Sequence, residues 1–251
     1  MKKILLFAAS VCIVYMLFAY KYIKRRADNN GFAVVELFTS EGCSSCPPAD
    51  KLLARINADL NGQGVYVLSF HVDYWDKLGW KDRFSKPQFT SRQKMYDSTL
   101  RTDTYTPQAV VNGEKEAVGS DEKLLMQFIH SMLQVNVKDK TLQCDLSVKK
   151  GKLLVAYQTE QAQIGDTINV ALVQDNVSDQ VTAGENKGQE IQHVNVVREF
   201  RSERLKKAMG NLTLNIPDDL KTGALHVIAY TQARGDLRIT AASSSKINYL
   251  Q

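Results

Sequence analysis

Val34, Val35, Leu37 and Phe38 form an apolar run broken only by Glu36 and ended by Ser40-Glu41-Gly42. So short a run bounded by turn residues predicts a buried strand. Beyond the break Ala49, Leu52, Leu53, Ile56 and Leu60 recur at near-helical spacing until Asn61-Gly62. This predicts a helix whose first turn holds Pro47 and Pro48, where missing N–H groups cost little. Val65 to Val72 predicts a second buried strand, and Pro87 to Leu100 a second helix with Phe89, Tyr96 and Leu100 on or near one face. Asn112-Gly113 lies between two short β-prone runs and predicts a hairpin, with Pro107 heading its first strand. Ser120-Asp121 can cap a last helix that runs to about Leu133.

From about Thr141 the texture changes to short β-prone runs: 142–148, 153–158, 167–173, 193–200, 212–216, 225–231 and 237–241. Turn residues such as Lys150-Gly151, Gly165-Asp166 and Arg234-Gly235-Asp236 separate them, which suggests a small β-sandwich. Residues 202–209 could form a helical turn or two. The predicted organisation is an N-terminal segment 1–30, a first domain 31–138 and an all-β domain 139–251.

Charge alters the picture only at the amino terminus. The formal net charge is +5, but residues 1–30 hold six basic residues and one acid, so the remainder is formally neutral. No basic patch argues for nucleic acid. Residues 4–20 are apolar and uncharged between Lys2-Lys3 and a basic flank, Lys21 to Arg26, a length at the short end of what spans a bilayer. Leu17 and Ala19 make a poor cleavage site, which favours an uncleaved signal anchor. The expectation is a membrane-anchored protein whose body faces the periplasm or cell exterior.

Cys43 and Cys46 fall at the predicted strand-to-helix junction. There, unpaired N–H groups and the helix dipole favour a thiolate on Cys43, and the three-residue offset lets Cys46 close a disulfide or resolve a mixed one. A Cys-x-x-Cys pair is also half a zinc site, and a structural disulfide is a third reading. No second such pair follows, so a four-sulfur zinc site within one chain is excluded. His71 and Asp73 share a face of the second strand if it persists, and Cys43, Cys46 and His71 could make a soft copper or zinc site. Cys144 reads as a buried free thiol. Trp75 and Trp80 read as filling the core of their own segment, with walling of the disulfide as the alternative. His193, Arg198 and Glu185 read as an inter-domain network, with a polar site as the alternative.

The order of strand, CxxC helix, strand, helix, Thr-Pro strand, Asn-Gly hairpin and helix resembles the thioredoxin fold. The wording from Val35-Glu36-Leu37-Phe38-Thr39-Ser40 through both cysteines, with His71-Val72-Asp73-Tyr74-Trp75-Asp76 and Tyr105-Thr106-Pro107-Gln108, resembles a narrower family of secreted bacterial proteins of unknown function. The resemblance covers most of residues 33–250. It implies an α/β thioredoxin-like domain with a helical insertion, followed by the small all-β domain. It also implies a cis Thr106–Pro107 bond with Pro107 against the disulfide. Glu36 stands close to where thioredoxins keep a buried acid that moves a proton to or from the resolving thiol, though the register is one residue longer. Gly42 where a tryptophan is usual, and Ser-Ser between the cysteines, leave the direction of electron flow open.

The expected function is thiol–disulfide exchange on an envelope protein partner, with Cys43 attacking, Cys46 resolving, and Glu36, Thr106 and Pro107 completing the site. It needs no cofactor. The alternatives are a copper or zinc chaperone and a non-catalytic scaffold.

Overall fold

The computed structural model describes residues 31–135, 141–160, 162–220 and 225–247. Its backbone is an eight-stranded mixed sheet. In chain order β1 (Ala33–Thr39), β2 (Val65–His71), β3 (Gln108–Val111) and β4 (Lys115–Val118) alternate with three helices. These are α1 (Pro47–Leu60), α2 (Pro87–Leu100) and α3 (Glu122–Leu133). Strands β5 (Leu142–Lys149), β6 (Lys152–Thr159), β7 (Thr167–Gln180), β8 (Glu190–Arg204), β9 (Met209–Asn215), β10 (Leu225–Gln232) and β11 (Ile239–Lys246) follow. The sheet order is β11-β10-β7-β8-β2-β1-β3-β4, with β5-β6-β9 as a separate small sheet.

This overturns the predicted fold class of a thioredoxin-like domain with a helical insertion and a separate small β domain behind it. Each β-prone run after Thr141 overlaps a strand, but β7, β8, β10 and β11 extend the first sheet. The junction is a parallel pairing of β2 with β8, Ser69 opposite Val196. It is reinforced by the Ser69 hydroxyl on the Val194 carbonyl at 2.8 Å and the Asn195 amide on the Val67 carbonyl at 3.0 Å. Alternation within a strand reveals which residues share a face, not which distant strand takes the free edge. The expected helical insertion is a single 3-10 turn, Asp76–Leu78, in an otherwise irregular segment. Residues 202–204 continue β8 rather than forming a helical turn.

The membrane assignment is also corrected. Residues 4–20 lie outside the described residues, and among the described residues no helix is long and apolar enough to cross a membrane. The longest, α1 and α2, have 14 residues, about 21 Å at 1.5 Å per residue against a hydrocarbon core of about 30 Å.

Local signals produce the expected local geometry. Asp121 caps α3 by accepting the Leu124 N–H at 3.0 Å. Asn112 and Gly113 adopt φ of 50° and 69°, as the tight hairpin requires. Strand parity then splits the core. Val35 and Leu37 pack with Ala49, Leu52 and Leu53 of α1, while Val34 and Phe38 pack with Phe89 and Tyr96 of α2. Glu36 follows Val34 and Phe38 onto the α2 face. There Arg92 grips its carboxylate through Nε at 2.5 Å and Nη2 at 2.8 Å, and the Tyr96 hydroxyl donates to it at 2.7 Å.

Replacing Arg92 by Met alone is expected to lower stability in urea unfolding by about 3–5 kcal/mol, because a buried carboxylate then lacks its counter-ion. Arg92→Met with Glu36→Gln should recover most of that loss. Equal losses in the single and double variants would show that the two groups are not coupled.

Candidate functional site

The carboxyl end of β1 turns at Ser40 into the loop that carries both cysteines. Cys43 and Cys46 form a disulfide with their Cα atoms 5.4 Å apart. Both residues are fully buried, whereas Ser44 and Ser45 between them are exposed. Burial therefore does not distinguish the two sulfurs. Cys43 Sγ does lie 3.3 Å from the Ser45 hydroxyl.

Three walls enclose the pair. Thr106, joined to the buried Pro107 by a cis bond, accepts the Ser45 hydroxyl on its carbonyl at 3.4 Å. Its own hydroxyl accepts the Trp75 indole N–H at 2.8 Å. Trp80 donates to Glu41 Oε2 at 2.7 Å, so both tryptophans wall the site instead of packing only within their own segment. The third wall is the loop joining β7 to β8. Asn186, buried in an otherwise largely exposed loop, donates its amide to the Glu41 and Cys43 carbonyls, each at 2.9 Å. Glu185 accepts the Ser44 N–H at 3.1 Å. Gly184 and Gly188 flank this tip at φ of 72° and 88°. A Cβ on Gly184 would meet that of Trp80 at 3.0 Å, so glycine serves there for both backbone and space.

Behind the disulfide lies a buried polar cluster. His193 of β8 sits with Nδ1 3.3 Å from Asp50 Oδ1 and Nε2 3.6 Å from Glu41 Oε1. These distances mark ion pairing; none of the four atoms has a well-formed hydrogen bond. Asp50 is held from the other side by the Thr39 hydroxyl at 3.2 Å. The His71 ring stands 4.6 Å from that of His193, and its Nδ1 meets Asp82 Oδ2 at 2.6 Å. Burial alone would lower the His193 pKa, but the carboxylates of Asp50 and Glu41 outweigh it and lift it to about 10. Burial raises that of Glu41, against the pull of His193. Asp82 overcomes its own burial through His71 and two backbone N–H donors and falls to about 2.

The predicted site residues divide accordingly. Cys43 and Cys46 are joined, Thr106 reaches them through Ser45, and the Thr106–Pro107 bond is cis. Glu36 does not join them, because strand parity turns it to the α2 face and Arg92 neutralises it. His71 is near the cluster but committed to Asp82, and among the described residues no three His, Cys, Asp or Glu side chains are arranged to hold a metal ion. His193 and Glu185 do reach the site, while Arg198 bonds Asp219 at 2.6 Å instead. Cys144 is a half-buried free thiol whose pKa burial raises. Asp50, Glu41, Asp82 and Asn186 were missed. Only Asp50 had a sequence signal, its place four residues after Cys46 at a helix start.

The family model described as protein of unknown function (DUF1223) matches residues 34–232. No curated protein matches the chain. A crystallised protein from Agrobacterium tumefaciens is 26% identical with a TM-score of 0.63, over 87% of this chain and 96% of that one. A DUF3823 family protein from Bacteroides ovatus is 10% identical at a TM-score of 0.25, over 44% of this chain and 56% of that one, and carries no argument.

Two outcomes follow from this geometry. A native His193 that keeps its proton to about pH 10, against about 6.5 unfolded, contributes stability that is complete below pH 6.5 and lost as pH rises towards 10. Urea unfolding from pH 6 to 10 should show that decline, and His193→Gln should flatten it; an unchanged slope in the variant would remove the assignment. Asn186→Ala leaves two buried carbonyls without their donor, at a cost of about 1–3 kcal/mol. It should also speed reduction of Cys43–Cys46 by dithiothreitol about ten-fold. A rate equal to wild type would mean that the loop does not limit access.

Proposed function

This chain belongs to the DUF1223 family of proteins of unknown function, and from its site we propose that it carries out thiol–disulfide exchange on protein thiols through Cys43 and Cys46. The observation that carries the reading is the disulfide itself. It lies where a loop enters α1, sealed by the hydrogen-bonded Asn186 side chain, with ionisable groups behind it and beside it the Thr106 carbonyl, which accepts the exposed Ser45 hydroxyl.

In the reducing direction the Cys43 thiolate attacks a partner disulfide. A Cys43–partner bond forms, the partner's S–S bond breaks, and the departing thiolate takes up a proton. Cys46 then gives up its proton and attacks the Cys43 sulfur. The internal disulfide reforms and the second partner thiolate leaves and is protonated. Two electrons and two protons pass from the protein dithiol to the partner disulfide, and oxidation of a partner dithiol runs the same steps in reverse. Cys46 is the N-cap residue of α1, so both sulfurs lie at the positive end of the helix dipole, which favours a thiolate. The Thr106 carbonyl, at hydrogen-bond reach of Ser45, offers an acceptor to a partner backbone that displaces it.

The reading is tested by dithiothreitol-dependent reduction of insulin and by equilibration of the pair with glutathione. Wild type should catalyse insulin reduction, Cys43→Ser should abolish it, and Cys46→Ser should accumulate a mixed disulfide visible on a non-reducing gel. Insulin reduction no faster than with dithiothreitol alone, together with no mixed disulfide, would refute it.

A further inference from the structure

We propose that the cleft at the carboxyl end of α1 is a binding site for a neutral polyhydroxylated ligand, a mono- or disaccharide. It lies apart from the exchange chemistry, since Cys46 stands at the other end of a helix about 21 Å long. The last turn of α1 and its C-cap, Asn57 and Asn61, form one wall, and β2, β7, β8, β10 and β11 supply the rest. The cleft follows from the β2–β8 seam. The two strands pair at Ser69 and Val196 but not at Val65 to Val67, which border the cleft instead. Its volume of about 450 Å³ falls within the range of about 300–1,000 Å³ for small-molecule sites.

Four asparagines, Asn57, Asn61, Asn176 and Asn195, set its chemistry. Asn195 donates to Asn57 Oδ1 at 3.2 Å and to the Val67 carbonyl at 3.0 Å. Its own Oδ1 and the Asn57 amide nitrogen have no partner among the described residues, nor do the Asn61 and Asn176 side chains or the Tyr66 hydroxyl. Carboxamides both donate and accept, as hydroxyl groups do, so these free atoms match a ligand rich in hydroxyls. The charged residues on the lining are Asp175, His226 and Lys246. His226 Nδ1 meets Asp175 Oδ1 at 2.5 Å, so that pair is satisfied internally, and Lys246 is exposed. An anion would meet Asp175 and the amide oxygens, and a cation would meet Lys246, so neither finds a lining of opposite sign. An apolar ligand would strip the amides of water and return no hydrogen bond. Tyr66 adds an aromatic ring for the apolar C–H surface of a sugar and a hydroxyl at its tip. Burial raises the Tyr66 pKa, so that hydroxyl remains a donor at neutral pH.

The test titrates full-length protein with glucose, N-acetylglucosamine and maltose at neutral pH, read by saturation-transfer difference NMR. At least one sugar should receive saturation from the protein. Tyr66→Phe and Asn176→Ala should each weaken binding of that sugar roughly five-fold, the worth of one hydrogen bond. Neither substitution removes a side-chain hydrogen bond among the described residues, so the urea midpoint and insulin reduction should stay at wild-type values. An absence of transfer to all three sugars overturns the proposal. So does a sugar whose affinity survives both substitutions, because it then binds elsewhere. Shifts of the Asn61 and Asn176 side-chain resonances with sodium phosphate, but with none of the sugars, would assign the cleft to an anion and overturn it as well.

Discussion

The parallel pairing of β2 with β8 is the constraint on which the other features of this molecule depend. Few backbone contacts make it, so the Ser69 hydroxyl and the Asn195 amide supply bonds across the seam. Asn195 does so at φ 47°, a left-handed position that asparagine tolerates better than most residues. With β8 on that edge, His193 is delivered to the back of the cysteine loop. The long β7–β8 hairpin then carries Asn186 to its front. One strand addition thus buries the disulfide, supplies the imidazole behind it and hangs the covering loop.

Two buried ionic groups lie on opposite faces of the same sheet, and they differ in how well they are satisfied. Glu36 and Arg92 form a two-pronged pair, with Tyr96 completing the carboxylate and the Gln232 amide donating to the Tyr96 hydroxyl at 2.9 Å. Aromatic rings of Phe200 and Tyr230 stand 4.9 and 5.5 Å from the guanidinium carbon. Such a saturated network resists change and ties β1 to α2. The group of Asp50, His193 and Glu41 is held at ion-pair distance, with atoms left over. Groups in that condition can still exchange protons, and this is the face on which the cysteines sit.

Sequence alone determined the elements whose causes are local. The apolar run of β1, the helical spacing after Cys46, the Asp121 cap and the Asn112-Gly113 turn each act over a few residues and appear where expected. The position of Cys43 and Cys46 at the strand-to-helix junction belongs to that legible part. Tertiary structure decided the rest. Whether Glu36 faced the cysteines or α2 depended on which side of the sheet each helix covered, since alternation assigns residues to two faces without naming them. The donors that fix β8 against β2 lie up to 128 positions from their acceptors. The runs on either side read equally well as an independent sandwich, because an edge strand's unpaired N–H and C=O groups accept any suitable strand. His193 and Asn186 became site residues through that choice of edge, which no spacing along the chain encodes.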